Sequence, residues 1–206
     1  MSIKIKKSIK PVNYKKAIKI LEKKVEDLHK GIGNELIWFL EHESLFTSGI
    51  NFNEKDIIDN SIKIIKTNRG GRLTWHGPGQ LICYFIIDLN KRNKDIRKFV
   101  IKIENSIIES LKELKISSFS DRKNIGIWIL NKNKIKKIAA IGIRVKKWIA
   151  FHGFSLNLTN ELQEYEKIIP CGIKDRGITS LKKIGQFKKK KIIEILQKNL
   201  IKNLNY

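Results

Sequence analysis

Three segments of the chain carry apolar residues at the spacing of an amphipathic helix. The first follows Asn13, a residue type that favours the helix N-cap, and its apolar positions include Ala17, Leu21 and Val25. The second covers 96–114, where apolar residues fall three or four positions apart. The third covers 189–204 and is strongly basic. We therefore predict a helix in each segment.

Shorter apolar runs between these segments predict β-strands. The runs cover 35–40, 62–67, 81–87, 125–130, 135–145 and 148–158. Asn131, Lys132 and Asn133 separate two of these runs and favour a hairpin turn. After the first run we expect a loop through Thr47, Ser48 and Gly49.

The order of these elements indicates the fold class. Strands and helices are interleaved, and hairpins dominate the second half of the chain, which favours an α/β (α+β) fold with a mixed central sheet flanked by helices. The chain has 206 residues, no internal repeat and no linker rich in proline or glycine. We therefore expect a single domain over 1–206.

The net charge of +23 has two interpretations. Lys and Arg total 43, but only seven of them are Arg, the residue that nucleic-acid readers use most. The lysines are spread along the chain together with many Ile and Asn residues, and A/T-rich codons give the same composition without any nucleic-acid partner. We expect no nucleic-acid function, although a basic surface would still attract acidic proteins.

Composition also limits where the chain works. No stretch approaches the roughly 20 apolar residues that span a bilayer, and the N-terminal residues lack the apolar core of a secretory signal. The two cysteines, Cys83 and Cys171, do not have the spacing of a zinc site and cannot form a disulfide framework. We expect a cytoplasmic chain with reduced thiols, no membrane contact and no metal.

The glycine-rich stretch 69–80, RGGRLTWHGPGQ, is the strongest candidate for a binding loop. Its glycines let a backbone approach a ligand closely and expose N–H groups. The stretch is neither a Walker A loop nor a GxGxxG fingerprint. The alternative is a surface loop with turn glycines, but such loops seldom also carry Arg, Trp and His.

A second candidate is Cys171, which lies between Pro170 and Gly172 on a predicted sharp turn. A thiol there could reach a substrate, whereas Cys83 lies inside an apolar strand and is expected to be an inert small hydrophobe. A nucleophilic cysteine needs a neighbouring base or cation. Lys137 opens an apolar strand and is a candidate, but the position of one lysine among so many is weak evidence. A structural role for Cys171 remains an equal alternative.

Four ordered motifs resemble the signatures of lipoyl(octanoyl) transferases. They are RGGRLTWHGPGQ (69–80), KIAAIGIRV (137–145), FHGFSLN (151–157) and PCGI (170–173). The segment 40–49 is similar to the LEHPPVYTxG segment of that family, and 177–181 is similar to its closing VTSL. The departures are Glu43 and Ser44 in place of prolines, and Trp75 where Tyr is common. They touch the rim of an acyl pocket and leave the chemistry unchanged.

The resemblance implies a fold of the biotin/lipoate protein ligase type and an acyltransferase without a cofactor. Cys171 would form a thioester with an octanoyl group, and Lys137 would hold the thiolate and shuttle the proton. Lys136 is the rival, but the family's lysine directly precedes Ile-Ala. The substrate-binding residues implied are Arg69, Gly70, Gly71, Arg72, Leu73, Thr74, Trp75, His76, Ala140, Ile141, Gly142, Gly153, Phe154 and Ser155.

The resemblance also implies the partners. The donor would be octanoyl-acyl carrier protein, and the acceptors would be lipoyl domains of 2-oxoacid dehydrogenase E2 subunits and the glycine cleavage H protein, with the enzyme acting as a monomer. The first alternative is an ATP-dependent lipoate–protein ligase, which needs no cysteine nucleophile. The second is a basic nucleic-acid-binding module, which would explain the charge without catalysis.

Overall fold

The computed structural model of the chain describes residues 3–173 and 176–205, and of Cys171 it describes the backbone alone. The helices are α1 (Tyr14–His29), α2 (Ile96–Glu113) and α3 (Lys189–Leu204). The strands are β1 (Lys4–Lys7), β2 (Leu36–Leu40), β3 (Leu45–Ser48), β4 (Ile64–Lys66), β5 (Leu73–His76), β6 (Gln80–Asp88), β7 (Phe119–Ser120), β8 (Ile127–Asn131), β9 (Lys134–Lys146), β10 (Ile149–Asn157) and β11 (Gly177–Ile178).

The central sheet has the strand order β1-β2-β6-β10-β9-β8-β7, and β11 pairs with β9. The pairs β1–β2 and β9–β11 are parallel and the other pairs are antiparallel, so the sheet is mixed as predicted. All three predicted helices are present. The side chain of Asn13 accepts a hydrogen bond from the Lys16 N–H at 3.2 Å and caps α1.

Helices cover both faces of this sheet because successive strand residues point to opposite sides. Alternate residues of β6, among them Cys83 and Phe85, pack against α2 and α3 in the larger core. The intervening residues, among them Ile82 and Tyr84, pack against α1 in a second core. Within the described residues no helix combines the length and the apolar character that crossing a bilayer requires.

A second, three-stranded sheet with the order β4-β3-β5 corrects two expectations. Thr47 and Ser48 were expected in a loop but belong to β3, which pairs with strands on both sides and buries Phe46 and Thr47. The strand is only four residues long, so its periodicity is too short to recognise. Leu73–His76 likewise forms an edge strand inside the glycine-rich stretch.

Candidate active site

A narrow cavity lies between the α1 side of the central sheet and the glycine-rich segment 69–76. Eleven of the substrate-binding residues that the resemblance implied line it: Arg69, Gly71, Arg72, Thr74, His76, Ala140, Ile141, Gly142, Gly153, Phe154 and Ser155. Ile82, Tyr84 and His152 complete the wall and were not among them. Ile82 and Tyr84 belong to the second core, so their strand pattern alone indicates packing rather than a site.

Three of the implied residues lie outside this cavity. Leu73 is fully buried in the core of the small sheet. Trp75 packs edge-on against Tyr165 and donates a hydrogen bond from Nε1 to Ser44 Oγ at 3.0 Å. Gly70 lies against the backbone of Ile143, on the outer side of the loop. These residues support the wall of the cavity instead of facing its interior.

The guanidinium of Arg69 ties the glycine-rich loop to the small sheet. Its Nη2 donates to the carbonyl oxygen of Thr47 at 2.7 Å and to that of Arg72 at 2.8 Å. Its Nη1 donates to the carbonyl oxygen of Gly70 at 3.0 Å. Arg69 therefore shapes the cavity through the loop backbone.

A β-bulge directs the side chain of Lys137 away from the larger core. In the pairing of β8 with β9, Ile127 lies opposite Ala139 while Trp128 lies opposite Lys137, so Ile138 is an extra residue. Ile138 and Ala139 are consequently both in the larger core. Without the extra residue, Lys137 would share the core side with Ala139, because side chains alternate along a strand.

The ammonium of Lys137 occupies a buried, largely apolar position. The residue is 3% exposed, and Nζ lies 4.7 Å from the centroid of the Trp128 ring. Nζ donates a hydrogen bond to the carbonyl oxygen of Ile125 at 3.2 Å. Lys136, the rival, is only half-buried and runs along Gly177. Burial thus distinguishes Lys137 from Lys136, which the sequence separates only through the family pattern.

The turn that carries Cys171 lies next to Lys137. Pro170–Gly172 forms a 3₁₀ turn in which Gly172 N–H donates to the Ile169 carbonyl oxygen at 3.0 Å. Lys137 and Pro170 line one small cavity, together with Thr74, Ala140 and Ser155, which also line the main cavity. The side chain of Cys171, the expected nucleophile, lies outside the described part of the chain. The described backbone brings its turn and Lys137 to one end of the main cavity.

An ion pair that the sequence did not indicate holds this turn against the glycine-rich loop. Arg72 donates from Nε and Nη2 to the two carboxylate oxygens of Asp56, at 2.7 and 2.6 Å. The carbonyl oxygen of Asp56 accepts a hydrogen bond from Ile169 N–H at 2.7 Å. Gly172 has φ 71°, and a Cβ there would overlap the Arg72 guanidinium. Asp56 lies in a polar run without any distinguishing pattern, so no sequence signal could have found it.

The N–H groups of the glycines are not equally available to a ligand. In the second glycine turn, Gly79 N–H donates to Glu41 and Gln80 N–H donates to the Gly77 carbonyl oxygen. Gly70 and Gly71 donate no backbone hydrogen bond to any residue in the described ranges. The N–H groups of Gly70 and Gly71 are therefore available to a ligand, whereas the sequence predicted exposed N–H groups in both glycine turns.

Buried histidines form the other end of the cavity region. Burial lowers the pKa of His42 to about 4 and the pKa values of His76 and His152 to about 3, and the Arg69 charge lowers the latter two further. His76 Nδ1 is bonded to Gln80 Oε1 at 2.7 Å. His152 has φ 65°, a left-handed backbone that stacks its ring on the neighbouring ring of Phe151. All three imidazoles are neutral at pH 7.

Cys83 matches the prediction of an inert thiol. It is fully buried in the larger core, and burial raises its pKa well above the ordinary value. A thiol that cannot ionise is a poor nucleophile.

Comparison with solved structures identifies the class to which this architecture belongs. A lipoate–protein ligase A bound with ATP superposes with a TM-score of 0.77 at 14% identity, covering 100% of this chain and 86% of that one. A bipartite lipoate protein ligase from Thermoplasma acidophilum gives 0.73 at 12% identity, covering 99% and 85%. A biotin protein ligase from Aquifex aeolicus gives 0.56 at 16% identity, covering 98% and 70%. These similarities show the fold alone, and they confirm the predicted fold type.

Sequence comparison then gives the family. Residues 13–201 match the family model of the lipoyl protein ligase A/B catalytic domain. An octanoyltransferase of Wolbachia pipientis subsp. Culex pipiens is 44% identical over 84% of this chain and 85% of that protein. An octanoyltransferase of Ehrlichia chaffeensis is 43% identical over 84% of this chain and 82% of that protein. An octanoyltransferase of Zymomonas mobilis is 42% identical over 84% of this chain and 81% of that protein. The chain belongs to the lipoyl protein ligase A/B catalytic-domain family, and the predicted acyltransferase class is confirmed.

Proposed function

We propose that this chain transfers an octanoyl group from the thioester of acyl carrier protein to a lysine of a lipoyl domain, through a thioester on Cys171. One observation carries the proposal. The bulge at Ile138 keeps the buried side chain of Lys137 out of the larger core, and Lys137 lines a small cavity together with Pro170 of the Cys171 turn. A buried ammonium beside a cysteine turn is what a thiolate nucleophile requires.

In the first half-reaction the Cys171 thiolate attacks the carbonyl carbon of the octanoyl thioester. The C–S bond to the donor breaks, and the leaving thiolate takes a proton from the Lys137 ammonium. In the second half-reaction the acceptor amine attacks the Cys171 thioester, and the new C–N bond replaces the C–S bond. The neutral Lys137 amine takes the proton from the attacking nitrogen, and Cys171 leaves as thiolate. No ATP is consumed, because a thioester already carries the free energy of activation.

The acyl chain would lie in the main cavity with its carbonyl at the Lys137 end. Gly71 borders both this cavity and the groove outside it, and its N–H is one of the free donors. It is therefore our candidate for stabilising the oxyanion of each tetrahedral intermediate. Asp56 acts as a positioning residue, because it holds both Arg72 and the Cys171 turn.

The finer assignments of partners belong to this proposal. We infer that E2 lipoyl domains and the glycine cleavage H protein are acceptors, and that the enzyme acts as a monomer in the cytoplasm. We also infer that the chain over 1–206 works as one catalytic domain. The continuous sheet and the packing of α3 against α2 across the larger core support this inference.

The test is a transfer assay with octanoyl-acyl carrier protein, a purified lipoyl domain and no ATP. We expect octanoylation of the acceptor lysine, and we expect Cys171→Ala to lower the rate by about a thousandfold or more. Cys83→Ala is the matched control, with a cost of about 1–2 kcal/mol in stability and little change in rate. Transfer from free octanoate that requires ATP would instead support the ligase alternative.

A further inference from the structure

The loop 121–126, between β7 and β8, supplies the oxygen atom that holds the Lys137 ammonium. Lys137 Nζ donates a hydrogen bond to the carbonyl oxygen of Ile125 at 3.2 Å. Gly126, with φ 138°, lies so close that a Cβ there would be 3.1 Å from Lys137 Cε and 3.3 Å from Nζ. The position of the ammonium therefore depends on the shape of this loop.

Side chains, rather than backbone pairing, fix the shape of the loop. Outside the β-ladders, no backbone–backbone hydrogen bond engages residues 121–125 in the described ranges of the chain. Instead, one carboxylate oxygen of Asp121 accepts from Lys123 N–H at 2.9 Å, and the other accepts from Asn124 Nδ2 at 3.0 Å. The indole Nε1 of Trp128 donates to the Asn124 carbonyl oxygen at 2.9 Å. This last bond fixes the carbonyl directly before the one that holds the ammonium.

Arg176 connects this loop to the chain that follows the candidate nucleophile. Its Nη1 donates to Asp121 Oδ2 at 2.7 Å, and its guanidinium carbon lies 4.9 Å from the centroid of the Trp128 ring. The same ring lies 4.7 Å from Lys137 Nζ. Arg176 stands five positions after Cys171 and directly before β11. A single side chain thus contacts both the loop and the ring that surround the ammonium.

Strand β11 fixes the backbone of Lys137 from the other side. Ile178 lies opposite Lys137 in the parallel pairing of β11 with β9, and Thr179 N–H donates to the Lys137 carbonyl oxygen at 2.9 Å. The ion pair of Arg176 with Asp121 therefore ties the strand that holds the backbone of Lys137 to the loop that holds its ammonium.

The carboxylate of Asp121 is charged at any pH at which the protein is folded and active. Hydrogen bonds from Asn124, from the Lys123 N–H and from Arg176 hold the pKa of Asp121 far below its ordinary value. The side chains of Asp121 and Arg176 are 20% and 23% exposed, and a partly exposed ion pair contributes little to the stability of a fold. Its removal is therefore expected to change the geometry at Lys137 more than the free energy of unfolding.

We propose that Asp121 and Arg176 are positioning residues, which hold the Lys137 ammonium at the Cys171 turn through the loop 121–126. Without their ion pair the loop is free to move, and the ammonium moves with the carbonyl that binds it. Cys171 then ionises less readily, and proton transfer slows because the amine leaves hydrogen-bond reach. The inference rests on the proposed function and assigns two residues that no motif of the sequence analysis contained.

The first experiment measures transfer by Asp121→Asn, by Arg176→Gln and by the double variant. Asparagine keeps an oxygen for the Lys123 N–H but removes the charged acceptor of Arg176. Each single change should lower kcat by about tenfold to a hundredfold and change KM by less than about twofold. The double variant should be no slower than the slower single variant, because both changes break the same link. Losses that multiply in the double variant would overturn the inference.

A titration of the Cys171 thiol with iodoacetamide separates positioning from a structural role. In both single variants, alkylation should require a higher pH than in the unaltered protein, because the displaced ammonium no longer stabilises the thiolate. Arg176→Lys should restore most of the rate and the lower pH, since a lysine can still pair with Asp121. A titration that is unchanged in Asp121→Asn and Arg176→Gln would show that the ion pair is only structural and would overturn the inference.

Glu113→Gln is the matched control. The Glu113 carboxylate accepts from Lys198 Nζ at 2.7 Å and from Asn199 Nδ2 at 2.9 Å, but it links α2 to α3 and lines neither the main cavity nor the small one. Its variant should keep the rate and the titration of the unaltered protein, and losses equal to those of Asp121→Asn would contradict positioning. Absence of Cys171 acylation in the unaltered protein would overturn the proposed function, whereas the titrations would still show whether Asp121 controls the thiol.

Discussion

The ammonium of Lys137 is held by one carbonyl oxygen and one indole ring, with little exposure to water. Burial without full pairing disfavours a charge, so a cation in such a place lowers the stability of the fold. Proton transfer is a task that a lysine can perform and an arginine cannot, since guanidinium keeps its proton at working pH. The residue type at position 137 is therefore a direct test of the mechanism.

We expect Lys137→Arg to abolish transfer even though it keeps the positive charge. The arginine variant can still favour a thiolate at Cys171 but cannot pass a proton between donor and acceptor. In Lys137→Ala, alkylation of Cys171 by iodoacetamide should require a higher pH than in the unaltered protein. Both substitutions are followed by the transfer assay and by a thiol titration.

The matched control is the neighbouring lysine. Lys136→Ala and Lys136→Arg change a half-buried side chain on the same strand, and each should cost under about 0.5 kcal/mol and leave transfer intact. An unchanged titration in Lys137→Ala together with full transfer in Lys137→Arg would show that Lys137 is only a buried structural lysine.

At the scale of elements, periodicity predicted the three helices, the hairpin of β8 and β9, and the strands β2, β4, β6 and β10. It missed β1, β3, β5, β7 and β11, which are two to four residues each, because so short a run cannot establish a period. It also could not foresee the bulge at Ile138, since an extra residue leaves no mark in composition. Resemblance identified Lys137, and the bulge explains why that residue faces the site. The role of Asp56 could be recognised only in the structure, where its carboxylate lies against Arg72.

The close approach of β6 to β10 leads to a prediction about the stability of the central sheet. Gly153 lies opposite Tyr84, and a Cβ there would overlap the carbonyl oxygen of Cys83. Gly153→Ala must therefore separate the two central strands, at a cost of about 2–3 kcal/mol. In a protein of this size, that cost lowers Tm by roughly 5–10 °C in a thermal scan.

Gly177→Ala serves as the comparison, because its nearest contact is an ordinary one, 3.6 Å to the Lys136 side chain. It should shift Tm far less than Gly153→Ala does. Equal Tm values for the two variants would mean that β6 and β10 do not approach each other as closely as described here.

At the scale of the whole molecule, the buried histidines couple folding to pH. The pKa values of His42, His76 and His152 are about 4, 3 and 3 in the folded protein, mainly because burial disfavours the imidazolium. The unfolded chain titrates near 6.5, so it binds more protons between about pH 4 and 6.5. Stability from these groups is complete above pH 6.5 and is lost as pH falls toward the folded pKa values.

We expect the free energy of unfolding to fall by roughly 1 kcal/mol per histidine for each pH unit within that window. Urea titrations at several pH values measure this slope. His42→Gln removes one titrating group and should reduce the slope by about a third, whatever its effect on stability at pH 7. His29→Gln, at an exposed position, should leave the slope unchanged. A slope that is identical in all three proteins would contradict neutral burial of His42.

The central claim is that an octanoyl group rests on Cys171 between donor and acceptor. Its most direct test is peptide-resolved mass spectrometry after incubation with octanoyl-acyl carrier protein in the absence of a lipoyl domain. We predict one octanoyl mass on the peptide that contains Cys171, none on the peptide that contains Cys83, and loss of the adduct when a lipoyl domain is added. Transfer that proceeds while the Cys171 peptide stays unmodified, or an adduct on Cys83 that is consumed by the acceptor, would contradict the claim.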